Sequence, residues 1–190
     1  MIIIIEGTDR VGKTTQTNLL LEKFKDRGPF HKVHYSALPF KDKKTHISYS
    51  KSMYADMFNM MKGLNVQGHN IIFDRSHLGE SVYAPLYRGY SGDFVFDIEN
   101  EYLSKDLAEN IYLVTLVNDP SIILSRDDGK SFYKDEDGVK NEVNGFMRAH
   151  KMSSIKNKIL ITVGDETAEG VSKIITDFIN EKEKIKCEHI

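Results

Sequence analysis

An eight-residue motif near the start of the chain decides what kind of fold is possible. It fits the pattern G-x-x-x-x-G-K-[ST] at every fixed position and reads Gly7-Thr8-Asp9-Arg10-Val11-Gly12-Lys13-Thr14. An isoleucine run, residues 2–5, precedes it, and an amphipathic stretch follows. Such glycines let the backbone curl so that several N–H groups point at one phosphate, and a helix that begins near Lys13 adds the positive end of its dipole. A chance match occurs in roughly one chain in 150 of this length, so the sequence predicts a phosphate-binding loop.

Each residue type in the motif has a task in binding a nucleoside triphosphate. Lys13 can reach the β- and γ-phosphates, and the Thr14 hydroxyl can ligate Mg²⁺. Arg10 either acts on the γ-phosphoryl oxygens during transfer, as an arginine supplied in cis, or pairs with an acidic neighbour at the surface. Asp9 either hydrogen-bonds an acceptor hydroxyl or orders the loop. The motif predicts ATP and Mg²⁺ as cofactors, and the expected nucleotide-binding residues are Gly7, Thr8, Asp9, Arg10, Val11, Gly12, Lys13, Thr14 and Thr15.

Short β-branched runs alternate with amphipathic stretches along the 190 residues, a pattern typical of α/β proteins with a parallel sheet. Strands are predicted at residues 2–6, 32–36, 70–74, 110–117 and 158–163. Helices are predicted at residues 13–25, 45–64, 78–87, 94–107, 121–126, 138–151 and 167–181. We therefore expect a three-layer P-loop NTPase fold, in which helices flank a five-stranded parallel sheet, as a single domain of residues 1–190.

Two further patterns have more than one interpretation. Residues 127–138 form a charged segment bracketed by glycines, which is either an inert surface loop or a lid that closes over the nucleotide. Methionines at helical spacing within residues 45–64 indicate core packing rather than an adaptable pocket; they are Met53, Met57, Met60 and Met61.

Composition excludes several classes of protein. The net charge of −2 lacks the basic excess of a nucleic-acid binder, so no nucleic-acid partner is expected. The only cysteine, Cys187, cannot form an intrachain disulfide, and no Cys/His cluster has zinc spacing. No apolar run approaches the ~18 residues of a membrane span, so we expect a soluble cytoplasmic protein without membrane contact. The Asn157-Lys158 pair lacks the aspartate of a guanine-reading N-K-x-D motif, which argues against a GTPase switch.

A second pair of charged residues, Asp74 and Arg75, follows the apolar run 70–73. The pair is therefore expected at the carboxyl end of a central strand, where ligands collect in open α/β sheets. Asp74 is expected near Mg²⁺ through water, and Arg75 is suited to a bidentate clamp on phosphate. A structural salt bridge is the alternative for each residue.

These motifs resemble those of thymidylate kinases. Residues 6–16 are similar to that family's opening, including the loop arginine of one subgroup, and Asp74-Arg75 matches its D-R-[YH] element. The resemblance implies that Tyr83 lies against the deoxyribose and leaves no room for a 2′-hydroxyl. It also implies that Lys41 holds the acceptor phosphate, that Arg126 leads into the lid, and that the protein is a homodimer.

The sequence departs from this family where the base is recognised. The family's stacking phenylalanine and base-reading arginine fall on Ser50 and Tyr54, and no arginine occurs between Arg27 and Arg75. Tyr54 remains a candidate for substrate binding, but base recognition must differ. His77, where the D-R element also changes, either touches substrate or caps the following helix.

Three functions compete. The leading one is phosphoryl transfer from ATP to a deoxynucleoside monophosphate, with dTMP the first candidate and Lys13, Arg10, Asp9, Asp74 and Arg126 as catalytic residues. A deoxynucleoside kinase is the alternative, but its neutral 5′-hydroxyl calls for a carboxylate base, typically just after the second strand, and residues 36–40 contain none. A nucleotide-binding protein without turnover has no use for Arg10, Asp74 and Arg75 together.

Overall fold

The fold is built on one parallel sheet of five strands. The computed structural model describes residues 1–36, 38, 42–126, 129, 131–133 and 135–188. Within these ranges the strands are β1 Ile2–Gly7, β2 Phe30–His34, β3 Asn70–Asp74, β4 Ile111–Val117 and β5 Lys158–Thr162. All neighbours run parallel in the order β2-β3-β1-β4-β5. The predicted α/β class and the five-stranded parallel sheet are confirmed.

Helices connect the strands and cover both faces of the sheet. They are α1 Lys13–Lys23, α2 Lys43–Val66, α3 Leu78–Tyr83, α4 Phe94–Tyr102, α5 Lys105–Asn110, α6 Pro120–Ser125, α7 Glu136–Met152 and α8 Ala168–Glu188, with a 3₁₀ turn at Lys25–Arg27 and a π-helical turn at Ala84–Arg88. None of the helices in the described ranges is long and apolar enough to cross a membrane.

The isoleucines of β1 show why the layers form. Ile2 and Ile4 point to one face and pack in a cluster with α2, α3 and α4, whereas Ile3 and Ile5 pack on the other face with α1 and α8. All four are fully buried, as expected for a central parallel strand. Met57 and Met61 of α2 are also fully buried. The interpretation of the methionine spacing as core packing is therefore confirmed.

Several predicted elements were wrong in their bounds, three of them for local reasons. The strand predicted at 32–36 begins earlier, because Phe30 pairs with Asn70. The single helix predicted at 94–107 is two helices, since the Ser104 hydroxyl accepts a hydrogen bond from the Leu107 amide and starts α5.

The helix predicted at 78–87 ends early at Tyr83. Pro85 has no N–H to donate to the carbonyl of Ser81, four residues earlier, and the helix widens into the π-helical turn at this point. The Ser81 carbonyl instead accepts a hydrogen bond of 2.9 Å from Arg148 on α7. This change of helix type decides where the residues after Tyr83 point.

Candidate active site

The loop between β1 and α1 depends on two glycines. Gly7 has a φ of +141°, and a Cβ there would lie 1.9 Å from the carbonyl oxygen of Leu116 on β4. Gly12 has a φ of +89° at the N-terminal end of α1. Only glycine meets both the close approach and the left-handed backbone without strain. Val11, between them, is buried in the core and fixes the loop to the sheet.

Lys13 is buried beneath the loop that it follows. Its Nζ donates to the carbonyl oxygens of Gly7 at 3.0 Å and Thr8 at 2.6 Å, and it lies 3.8 Å from the Asp9 carboxylate. Burial and the nearby Arg75 lower the pKa of Lys13 to about 8, against the attraction of the surrounding carboxylates. Lys13 is therefore held at the loop, and an anionic ligand there would stabilise its charged form.

Thr14 and Asp74 meet at the carboxyl end of the sheet. The Thr14 hydroxyl donates to Asp74 Oδ2 at 2.6 Å, and His34 Nδ1 lies 3.3 Å from the same oxygen. Asp74 Oδ1 is buried and accepts no hydrogen bond from any residue that the structure describes. Hydroxyl and carboxylate oxygens are the ligands that Mg²⁺ prefers, with phosphates and water completing its shell. These residues therefore fit the predicted metal.

Arg10 links the loop to the segment that was predicted as a lid. Its Nη1 donates to the Tyr133 hydroxyl at 2.8 Å, and its guanidinium carbon is 5.5 Å from the centre of the tyrosine ring. Arg126, the residue just before the segment, donates to the Arg10 carbonyl at 3.4 Å. Arg10 and Arg126, two of the three cations predicted to be catalytic, therefore lie in contact with each other.

Arg75 joins the loop to the end of β3. Its Nη2 donates to Asp9 Oδ1 at 2.9 Å. Burial opposes the charge, but Asp9, Tyr83, Glu6 and Asp74 together outweigh it and raise the pKa of Arg75. Among the described residues, Arg75 and Arg10 are the non-glycine positions with positive φ, at 74° and 63°. Left-handed backbone at non-glycine residues costs energy and gathers at functional sites.

A cavity of about 190 Å³ opens beside this pair. The predicted residues Asp9, Arg75, Tyr54 and Tyr83 all line it. Sequence reasoning missed several other lining residues, among them Glu6, Tyr35, Glu80, Arg88 and Phe132. They come from four separate parts of the chain, and no short motif connects them.

Tyr83 forms a rigid wall of the cavity. Its ring packs edge-on against Phe146 at 5.7 Å and is stacked with Tyr87 at 6.1 Å. Its hydroxyl is buried and has no hydrogen-bond partner among the described residues. Burial raises the pKa of Tyr83 far above its usual range, so the cavity meets a neutral hydroxyl on a ring that cannot swing away.

Glu6 has the capping role that was predicted for His77. Its Oε1 accepts from the backbone N–H of Ser76 at 2.8 Å and of Gly79 at 3.3 Å, at the start of α3. His77 makes no capping hydrogen bond. It is fully buried, and its Nε2 lies 2.7 Å from Glu99 Oε2. The capping interpretation was therefore wrong. His77 does not line the cavity, and its contact with substrate stays a prediction.

Glu142 on α7 is a buried carboxyl group that no sequence pattern indicated. Its Oε1 accepts a hydrogen bond of 2.6 Å from the Tyr87 hydroxyl, while Oε2 has no partner in the described part of the chain. Burial raises the pKa of Glu142 to about 7, against the hydrogen bond from Tyr87 and with the help of Asp9. The group therefore titrates near neutral pH.

The remaining predicted residues divide into three groups. Thr8 is fully buried, with a hydroxyl that no described residue contacts by hydrogen bond. Thr15 is exposed on α1. Lys41 lies outside the described residues, as do Asp127, Asp128, Lys130 and Lys134 of the predicted lid.

Solved structures share this fold. The YorR protein from Bacillus subtilis, in complex with phosphorylated GDP, is similar with a TM-score of 0.68 and 20% identity over 97% of this chain and 98% of its own. A thymidylate kinase from Candida albicans, described as having broad substrate specificity, has a TM-score of 0.61 and 17% identity, over 96% of this chain and 92% of its own. A thymidylate kinase from Ehrlichia chaffeensis has a TM-score of 0.65 and 16% identity, over 95% of this chain and 97% of its own.

At these identities the similarity establishes the fold, and the predicted three-layer P-loop NTPase fold is confirmed. No protein-family model and no curated protein matches the sequence.

Proposed function

We propose that the protein transfers the γ-phosphoryl group of ATP, with Mg²⁺, to a deoxynucleoside monophosphate, with dTMP the leading acceptor. The ion pair between Asp9 and Arg75 carries this proposal. Asp9 belongs to the phosphate-binding loop, and Arg75 lines the neighbouring cavity. A triphosphate in the loop and a nucleotide in the cavity would meet at this pair, which is the arrangement that phosphoryl transfer requires.

The loop side supplies positive charge. Lys13 and Arg10 are suited to neutralise the charge that develops on the transferred group, and Arg126 supports the backbone of Arg10. Thr14 and Asp74 would hold Mg²⁺, which neutralises charge on the phosphate oxygens when bound. Residues 127–138 act as the lid of this single domain, because Tyr133 contacts Arg10 and Phe132 lines the cavity.

The acceptor side of the site orients the acceptor nucleotide. An acceptor phosphate is already anionic, so Arg75 needs only to grip and orient it, and no strong base is required. Tyr83 excludes a ribose 2′-hydroxyl because its ring is packed on two sides. The resemblance to thymidylate kinases supports a cytoplasmic homodimer as the working form.

A deoxynucleoside kinase remains the second candidate because a carboxylate, Glu6, lines the cavity. However, its Oε1 already accepts two backbone N–H bonds and one from the Ser76 hydroxyl. This oxygen is therefore already committed to holding the start of α3. This engagement favours the monophosphate as acceptor. The YorR complex with phosphorylated GDP supports testing guanine nucleotides beside thymidylate.

A coupled assay of ADP formation tests the proposal. ATP and Mg²⁺ are supplied with each of the four deoxynucleoside monophosphates, thymidine or deoxyguanosine. We expect transfer to at least one monophosphate and none to the nucleosides. Transfer to a nucleoside alone would support the second candidate, and nucleotide binding without any transfer would support a non-catalytic protein. Lys13→Ala should abolish transfer, whereas Lys25→Ala, at an exposed pair with Glu22, should not.

A further inference from the structure

A second arginine, Arg88, is held rigidly at the cavity. Its Nη1 donates to Glu80 Oε2 at 2.5 Å, and the hydroxyl of Tyr90 donates to Glu80 Oε1 at 2.6 Å. Glu80 is only 2% exposed. Glu80 lies on α3, and Arg88 is the last residue of the π-helical turn that follows it.

The hydrogen-bonded group of Arg88, Glu80 and Tyr90 presents hydrogen-bond donors to the cavity. Both oxygens of the Glu80 carboxylate are engaged, by Arg88 and by Tyr90. A guanidinium carries five N–H donors and no acceptor. One donor, on Nη1, goes to Glu80, and the Tyr90 side chain also hydrogen-bonds the guanidinium. Burial opposes the charge of Arg88, but Glu80 and Tyr90 outweigh it and raise its pKa. Arg88 is therefore a fixed cation with donors to spare.

Arg88 and Arg75 have different surroundings within the same cavity. Arg75 is paired with Asp9 of the phosphate loop and is influenced by Tyr83 and Asp74. Arg88 is paired with Glu80 and Tyr90, which belong to α3 and the turn after it. A nucleotide needs recognition at two separate points, its phosphate and its base. The loop-side arginine suits the phosphate, which leaves Arg88 for the base.

The cavity walls between these points are largely aromatic. Tyr54, Tyr35 and Phe132 line it, and each ring offers a flat apolar surface on which a base can stack. Such faces do not distinguish one base from another by hydrogen bonds. Discrimination must come from polar groups that meet the edge of the base.

Resting on the proposed function, we infer that Arg88 reads the base of the acceptor and that Glu80 and Tyr90 position it. Arginine donors pair with a carbonyl oxygen, such as O4 of thymine or O6 of guanine. Adenine and cytosine have an amino group at the equivalent place, and that group would leave the buried donors unpaired. The protein therefore prefers acceptors with a keto base.

Matched substrates test this without altering the protein. dTMP is compared with 5-methyl-dCMP, and dGMP with the deoxynucleotide of 2,6-diaminopurine, because within each pair the keto oxygen becomes an amino group. We expect kcat/KM to be about 10- to 100-fold higher for the keto member of whichever pair is turned over. Equal values within that pair, or a preference for the amino member, would overturn the assignment.

Variants then show whether Arg88 causes the preference. Arg88→Met should lower kcat/KM for the keto acceptor by about 10- to 100-fold, mainly through KM, and change that of the amino partner by less than about threefold. Glu80→Gln should produce a smaller loss with the same selectivity change, because it positions Arg88 only. Arg27→Met, which alters an arginine paired with Glu183 and Asn180 on α8, is the control.

The outcomes separate the two proposals. If no monophosphate is phosphorylated, the proposed function fails. If transfer occurs and Arg88→Met lowers kcat/KM equally for all acceptors, the proposed function stands and the base-reading role is wrong. Thermal unfolding midpoints identify a variant that does not fold, and in that case the wild-type comparison of matched substrates decides alone.

Discussion

Arg10 and Tyr133 are 123 positions apart in the chain, and a hydrogen bond of 2.8 Å joins the guanidinium to the phenol oxygen. Burial raises the pKa of Tyr133, so the phenol stays neutral and holds Arg10 through this bond and through its ring face. A strained loop residue is thus fixed by a residue of the lid segment. In the proposed reaction, this contact would couple the charge on the transferred group to closure of the lid segment.

Replacing Arg10 should therefore affect rate more than binding. Arg10→Ala is expected to lower kcat by about 10³-fold, the lower range for an arginine that stabilises transferred phosphoryl charge. The Kd for ATP should change by less than about threefold. Steady-state kinetics and calorimetric titration with ATP measure the two quantities. Equal losses in rate and affinity would contradict a role confined to the transition state.

Tyr133→Phe isolates the contact itself. It keeps the ring and removes only the hydroxyl that accepts from Arg10. We expect kcat to fall by about tenfold, since a hydrogen bond to a charged group is worth about 1.5–3 kcal/mol. In the double variant with Arg10→Ala the Tyr133 change should have no further effect, and additive losses would show that the residues act separately.

The phosphate loop could be predicted from sequence because its contacts are local. The motif supplies its own glycines, and its lysine bonds to carbonyls five and six residues earlier. The distant partners of the loop, such as Asp74 and Tyr133, were less accessible to sequence reasoning. The sheet was predictable for a similar reason, since buried parallel strands read as apolar runs. The order of the strands and the pairing register of β2 depend on tertiary contacts and were not visible.

The acceptor cavity could be predicted only in part. Arg75 followed from a motif and Tyr83 from the resemblance to thymidylate kinases. Arg88 ends a π-helical turn that Pro85 favours, and no sequence pattern predicted that turn. The one available signal was the acidic and basic pair Glu80 and Arg88, eight residues apart, about two helical turns. Phe132 enters the cavity from the chain beyond β4, and no periodicity connects it to the loop.

Arg75 is expected to act on the acceptor rather than on ATP. Arg75→Met should raise KM for the acceptor monophosphate by at least about tenfold, because a charged hydrogen bond to its phosphate is lost. KM for ATP should change by less than about threefold, although Asp9 loses its partner. Initial-rate measurements with each substrate varied in turn test this. An unchanged acceptor KM would remove Arg75 from the acceptor site.

The pKa of Lys13 predicts proton uptake on nucleotide binding. In the free protein burial lowers it to about 8, and a triphosphate beside the ammonium would raise it again. Between about pH 8 and 9.5 ATP binding should therefore take up protons, and its affinity should fall as pH rises through this range. Calorimetry in buffers of different ionisation enthalpy measures the uptake. Lys13→Arg keeps a charge that does not titrate here and should remove the effect.

The lid segment should become protected when both ligands bind. Tyr133 already contacts Arg10, and Phe132 is stacked on Tyr87 at 5.1 Å while still 61% exposed. ATP analogue with acceptor should slow amide exchange of residues 131–133 more than either ligand alone, because closure would shield both sites at once. Exchange that is unchanged by the pair of ligands would indicate an ordinary surface loop.

Glu142 should make the protein less stable as pH rises through neutrality. Its pKa is raised by burial to about 7, whereas an unfolded glutamate titrates near its ordinary value of 4.5. The protonated form is therefore favoured in the folded state, and this advantage is fully present below about pH 4.5 and lost as pH rises through about 7. The shift corresponds to roughly 3 kcal/mol.

Urea unfolding between pH 5.5 and 8.5 should show wild type losing free energy of unfolding relative to Glu142→Gln, which can still accept the hydrogen bond from Tyr87. Glu136→Gln, an exposed change on the same helix, should follow wild type. Parallel curves for wild type and Glu142→Gln would mean that the carboxyl group is ionised throughout this range and that burial does not control it.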